Sequence, residues 1–221
     1  MVDNKFYKKA AGYWANVPAT VDGVLGGYGH ISDIDINASK AFLEKVFAFN
    51  NPPEAKLAID CGAGIGRISK YLLIPQFDKV DLVEQDEKFI SSAKQFIGED
   101  NDKLGTLYQI GLQDFVFEPH KKYDVIWCQW VLGHLNDYHL IYFLRRCISA
   151  LAKNGVIVIK ENVTTTEEME YDEDDSSVTR PVSRMKMIFS ESNLKILHTE
   201  IQNDFPEDIY PVHSFALTPV T

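Results

Sequence analysis

The chain has 221 residues, 45% of them hydrophobic, which suits one domain with a sizeable core. Its formal net charge is −10 and its pI is near 5.0; that balance argues against a phosphate-backbone partner, which needs a basic face, and permits a basic peptide. No window reaches the roughly 18 apolar residues of a membrane span.

The start, MVDNKFYKKAAGYW, lacks a long apolar run, so no secretory leader is expected. From Lys5 to Val17, Phe6, Ala10, Tyr13 and Trp14 fall at helical spacing, and Pro18 stops the run. TVDGVLGGYGHISDID follows, with Gly23, Gly26, Gly27 and Gly29, and reads as a loop able to close over a site. Asn37 reads as the N-cap of a helix to about Phe49 with Phe42, Val46 and Phe49 on its apolar face. Residues 1–50 are thus expected to be a helical lid ahead of a core at 51–221, within one domain spanning 1–221.

In the core, strands are expected near 56–60, 79–83, 106–110, 123–128, 155–160, 195–201 and 210–217. Helices are expected near 66–73, 86–97, 136–151 and 177–192, with Asp86 capping the second and Asn136 or Asp137 the third. Strand–helix alternation means an α/β fold, a parallel sheet covered on both faces. The last two strands have no helix between them, so they read as a hairpin joined near Asp204–Pro206 with an antiparallel final strand. Cys61, Cys128 and Cys147 have no C-x-x-C spacing and read as reduced thiols, the first two filling core positions; no metal site is expected.

The stretch LAIDCGAGIGR, Leu57 to Arg67, is strand, glycine turn, helix. Gly62, Gly64 and Gly66 allow positive φ and close approach of a ligand, and the helix behind them presents free N–H groups. Glu84 ends the next apolar run, VDLVE, where an acid can hold ribose hydroxyls. This fits a nucleoside cofactor, or a tight turn in an ordinary α/β protein. A dinucleotide site prefers G-x-G-x-x-G. Here the spacing is G-x-G-x-G, which resembles the glycine loop of class I S-adenosylmethionine (SAM) methyltransferases, whose seven-stranded sheet the terminal hairpin also matches.

Ligands of open α/β sheets bind beyond the carboxyl ends of the strands. After the third strand, Gly111-Leu112-Gln113-Asp114 can meet an adenine edge; after the fourth comes Gln129-Trp130-Val131-Leu132-Gly133-His134, and after the fifth Lys160-Glu161-Asn162. Trp130 and His134, four apart, share a face of any helical turn. Trp130 either packs or holds a cation on its ring; His134 either fills the core or acts as a base. Glu167 to Asp175, EEMEYDEDD, is either a solvated loop or a dock for a basic side chain. Ser176-Ser177 read as the start of the next helix, which would hold Asp175 more firmly than a mid-loop acid.

Eight ordered blocks carry a wider resemblance. They are GGYGHIS (26–32), DCGAGIGR (60–67), GLQDF (111–115), IWCQWVLGHL (126–135), FLRRC (143–147), NGVIVIKEN (154–162), DSSVTR (175–180) and IYPVHSFAL (209–217). Together they resemble the eukaryotic protein α-N-terminal methyltransferases, over nearly the whole chain. The resemblance implies a Rossmann-like seven-stranded class I methyltransferase with an N-terminal helical lid. It implies transfer of methyl groups from SAM to the free α-amine of proteins that begin Xaa-Pro-Lys or Xaa-Pro-Arg after loss of the initiator Met. Three transfers are implied, or two on an N-terminal Pro, and S-adenosyl-L-homocysteine (SAH) is the product.

Residue by residue, the resemblance implies SAM contacts from the glycine loop (Gly62, Gly64), Arg67 at its carboxylate, Glu84 at its ribose, Leu112 and Gln113 on the adenine side, Gln129, and Trp14 in the lid. It implies peptide-binding and catalytic roles for Trp130, Asn162, His134 and Asp175, with Asp175 and His134 taking the proton. Asp172 would meet the substrate's third-position Lys or Arg, and Leu25, Ile209 and Tyr210 would line the peptide channel. Glu84 stands where many relatives have Asp, and the loop after Asn162 departs from the family pattern. Substrate proteins of ribosomal and chromatin-associated kinds are implied, with no nucleic acid or membrane partner; the expected place is the cytoplasm, with the nucleus left open because no clear basic import cluster is visible. Rival readings are a SAM-dependent small-molecule methyltransferase, a non-catalytic SAM-binding partner subunit and an NAD-dependent oxidoreductase; the G-x-G-x-G spacing and the terminal hairpin disfavour the last.

Overall fold

The computed structural model describes residues 4–220. Strands β1 (Leu57–Cys61), β2 (Lys79–Glu84), β3 (Leu104–Gln109), β4 (Tyr123–Gln129) and β5 (Leu151–Asn162) pair in parallel, and a small hairpin, β6 (Glu170–Asp172) with β7 (Ser177–Thr179), stands apart. The edge is completed by β8 (Leu194–Ile201) and β9 (Val212–Pro219), giving the order β3-β2-β1-β4-β5-β9-β8. β9 runs antiparallel to both neighbours, with Ile159 opposite Phe215. The apolar run in β4 is buried along its whole length, as expected of a central strand covered on both faces.

Strand side chains alternate between two cores. On one face Ile59, Ile126 and Ile157 pack against α6 (Asp137–Ala150) and α7 (Val182–Glu191). On the other, Ala58, Val125 and Val158 pack against α5 (Glu87–Ile97) and α3 (Ser32–Phe47). So α3 is itself a layer of the core, while α1 (Asn4–Asn16) and the single turn α2 (Val21–Val24) face the carboxyl edge of the sheet. Among the described residues no helix is long and apolar enough to cross a membrane.

Most expected elements stand within a few residues of where the sequence places them. Asp86 caps α5 by accepting from the Phe89 N–H, and Asn136 rather than Asp137 caps α6, accepting from His139. Two expectations are corrected and one is refined. Asn37 is no cap: α3 already begins at Ser32, where Asp33 and Asp35 in the first turn favour a helix start. The helix after the glycine loop widens to a π-turn at Ser69–Leu73 before the short α4 (Ile74–Gln76). The helix expected from 177 starts only at Val182, and Ser177–Thr179 is strand β7. Pro181 disfavours helical geometry at Arg180, and the Arg180 guanidinium is drawn inward to the carbonyls of Leu132 and Leu135 and to Asp137.

Candidate active site

The site forms where β1, β2, β4 and β5 end. After β1 the chain turns through Gly62 (φ 78°) and Gly64 (φ 54°), conformations that side chains rarely tolerate. A Cβ on Gly62 would lie 2.4 Å from Val131, so only glycine lets the two strand ends meet. Glu84 locks the turn. Its two oxygens accept from the N–H groups of Gly64 and Asp86, each at 2.9 Å, and burial pushes its carboxyl up from the usual range.

A cleft of ≈ 950 Å³ lies over this turn, and the sequence brings all eight candidate cofactor residues to its wall: Trp14, Gly62, Gly64, Arg67, Glu84, Leu112, Gln113 and Gln129. The wall offers an acid, an apolar surface at Ile110 and Leu112, and a guanidinium. Those groups suit a ribose diol, a purine face and an α-carboxylate, so the residues fit SAM. Arg146 steadies this wall by donating to the Leu112 and Gln113 carbonyls.

A second cleft, ≈ 1100 Å³, lies beside the first and shares Trp14, Val24, Leu25, Trp130 and His134 with it. Asn162, Asp175, Ile209 and Tyr210 line it. Trp130 stands at the junction in the left-handed region, φ 52°, a strained geometry for a large side chain. Three contacts hold it: its N–H donates to the Lys160 carbonyl, its indole N–H donates to Asn162 Oδ1 at 3.1 Å, and Glu161 Oε1 accepts from Val131 and Leu132 just behind it. Since the Asn162 carbonyl oxygen is taken by Trp130, its NH₂ is the end left for a ligand, a donor suited to a carbonyl. The Arg67 guanidinium lies 5.6 Å from the Trp130 ring centre, so one ring face already has a cation beside it.

Burial pushes the Glu161 carboxyl up to about 7. A raised folded value means that its contribution to stability is complete below about 4.5, the unfolded value, and lost as pH rises through about 7. Glu161→Gln keeps an oxygen for the Val131 and Leu132 N–H groups. At about pH 5 it should melt close to the parent, and at about pH 8 it should be more stable by about 3 kcal/mol. Denaturant titrations at both pH values test this; equal stability at the higher pH would contradict it.

His134 is buried. Its Nε2 accepts from the Trp14 indole N–H at 3.0 Å, and its Nδ1 lies 3.4 Å from the Ser176 carbonyl, so the proton sits on Nδ1. Burial lowers its pKa below the usual histidine value, against the pull of Asp175, and the ring is neutral near pH 7. Asp175 Oδ2 is 4.0 Å from Nε2, and Asp175 Oδ1 is a buried oxygen without a hydrogen-bond partner among the described residues. Of the two candidate bases, only Asp175 keeps an uncommitted oxygen.

One predicted site residue lies apart. Asp172 is exposed on β6 and its carboxylate accepts from the Asp174 N–H, outside both clefts; its strand neighbour Glu170 accepts from the Tyr210 hydroxyl. Sequence reasoning missed Tyr7, Tyr28 and Asp208, and placed Glu161 at its strand end without giving it a role. Tyr7 stands three residues before Ala10 and seven before Trp14, a helical period legible beside the one used, and it anchors α1 through His139. Tyr28 and Asp208 line the second cleft and bond to each other at 3.0 Å, a pairing that no local pattern announces.

The sheet order and the two joined clefts define a class I SAM-dependent methyltransferase. A family model described as AdoMet dependent proline di-methyltransferase matches residues 2–218. N-terminal Xaa-Pro-Lys N-methyltransferase 1 of Xenopus tropicalis is 50% identical, covering 96% of this chain and 95% of its own. The Homo sapiens protein of the same name is 49% identical, covering 97% and 96%. A solved SAM-dependent methyltransferase from Leishmania major superposes with a TM-score of 0.89 at 35% identity, covering 96% of this chain and 83% of that one. The chain belongs to the AdoMet-dependent proline di-methyltransferase family, and SAM is its methyl donor.

Proposed function

We propose that this enzyme methylates the free α-amine of protein N-termini that begin Xaa-Pro-Lys or Xaa-Pro-Arg. The observation that carries the reading is the junction of the clefts, where Trp130 and His134 wall both and Asp175, one of whose oxygens is buried without a partner among the described residues, lines the second. The relatives named for Xaa-Pro-Lys termini support the same substrate class.

SAM supplies an electrophilic methyl group. Held by Arg67, Glu84 and the glycine loop, it would give that methyl to the amine lone pair, the carbon–sulfur bond electrons going to sulfur in the SAH leaving group. An α-amine has a pKa of about 7.7–8.0, so a useful fraction is neutral near pH 7, whereas a lysine amine at about 10.4 is mostly protonated. Asp175 takes the proton left on nitrogen after every transfer but the last, so that the next lone pair is free. Asn162 donates its NH₂ to a peptide carbonyl and aligns the amine. His134, held neutral, keeps Trp14 in place. A primary amine accepts three methyls and an N-terminal Pro two, after which no lone pair remains.

Proline at position two has fixed φ and no N–H, so the terminus enters the channel of Leu25, Ile209 and Tyr210 already shaped. A third-position cation reaches the acidic hairpin at Glu170 and Asp172; solvated, such a pair contributes about 0–1 kcal/mol. The net charge of −10 favours basic termini such as those of ribosomal and chromatin-associated proteins, in cytoplasm and nucleus.

Mass spectrometry of a Ser-Pro-Lys peptide and its N-acetylated twin, each incubated with enzyme and SAM, tests the reading. Stepwise methylation of the free peptide alone is expected. Equal labelling of both would move the chemistry to the lysine side chain, and labelling of neither would reject the substrate class.

A further inference from the structure

Asp35, Lys160, Arg67 and Gln129 form a buried polar cluster between α3 and the carboxyl ends of β4 and β5, with Asp35 wholly buried and Lys160 1% exposed. One Asp35 carboxylate serves all three partners. Its Oδ2 lies 2.7 Å from Arg67 Nη1, both oxygens lie 2.9 Å from Gln129 Nε2, and Oδ1 lies 2.5 Å from Lys160 Nζ. Lys160 is satisfied further by Ser39 and Gln202. The other end of the Gln129 amide accepts from the Trp127 indole N–H, so that side chain cannot rotate without breaking a bond at each end. Arg67 and Gln129 line the cofactor cleft, whereas Asp35 and Lys160 do not.

Formally the cluster holds two cations and one anion. A buried charge persists only when paired, and Arg67 is the charged member that faces the cleft. We propose that Asp35 is the positioning residue that aims Arg67 and Gln129 at the amino-acid tail of SAM, and that the tail's carboxylate completes the charge balance of the cluster. The inference rests on the SAM reading of the first cleft and deepens it. It gives α3 a part in cofactor recognition, reached through side chains it does not itself present to the ligand.

The test compares two ligands by calorimetry: SAH, and 5′-methylthioadenosine, which shares the nucleoside and sulfur but lacks the amino-acid tail. For Asp35→Asn, SAH should bind about tenfold or more weakly, as loss of a charge-assisted contact implies, while 5′-methylthioadenosine should stay within about twofold. A merely structural role would lower the binding stoichiometry or the melting temperature, or weaken both ligands together. Unchanged SAH affinity, or equal weakening of both, would overturn the inference. Because Asp35→Asn strands Lys160 without its counter-ion, the double variant Asp35→Asn/Lys160→Met is made beside it. The double removes one charge of each sign, leaves the net charge unaltered, and still deprives Arg67 of its guide. The same selective loss of SAH is expected there, and parental SAH affinity in the folded double would overturn the assignment. A parent protein that binds neither ligand would reject the SAM reading itself, and the inference with it.

Discussion

Asp175→Asn should lower methyl turnover by about 10²–10⁴-fold, the usual worth of a positioned proton acceptor, with SAH affinity unchanged. The substitution is close to isosteric, and Asp175 lines the second cleft but not the first, so cofactor binding has no reason to move. His134 does not take over, because its only lone pair accepts from Trp14. The residual rate should climb steeply as pH rises through the amine's own range of about 7.7–8.0, since bulk solution is then the sole source of neutral amine. Rapid-quench turnover at saturating SAM, alongside SAH calorimetry, separates the outcomes. Parental turnover would remove Asp175 as the base.

Glu84→Ala should weaken SAM and SAH by about a hundredfold, as expected for losing two charge-assisted bonds to ribose hydroxyls at about 1.5 kcal/mol or more each. A second loss adds to the first. The Gly64 and Asp86 N–H groups lose their acceptor, and the glycine turn loses the lock that holds its left-handed residues. Glu84→Gln should fall between, because one amide oxygen can still hold one N–H. Titration of SAH into the three proteins decides it, and affinity within about threefold of the parent would refute the ribose role.

How far the sequence could be read follows from how local each feature is. The glycine turn, the acid at the end of β2 and the strand ends were legible because each is a short pattern whose place at the carboxyl edge follows from the fold. The β6–β7 hairpin was not. A run of acids followed by two serines looks like a helix start, and what prevents it is Pro181 together with an Arg180 whose acceptors lie more than forty residues away. The proton state of His134 was equally hidden, since it depends on Trp14, 120 residues distant. Asp35 carried no signal at all: in sequence it is one acid at the end of a glycine-rich loop, and its partners Gln129 and Lys160 stand 94 and 125 positions away.

That separation has a consequence for the birth of the molecule. Helix α3 leaves the ribosome before any strand of the sheet, and its apolar side, Phe42, Leu43 and Val46, belongs against strands that have not yet been made. Asp35 emerges 125 residues ahead of the lysine that neutralises it. Until β5 is translated, this helix is a sticky fragment in need of shelter, its Asp35 carboxylate still without its lysine partner.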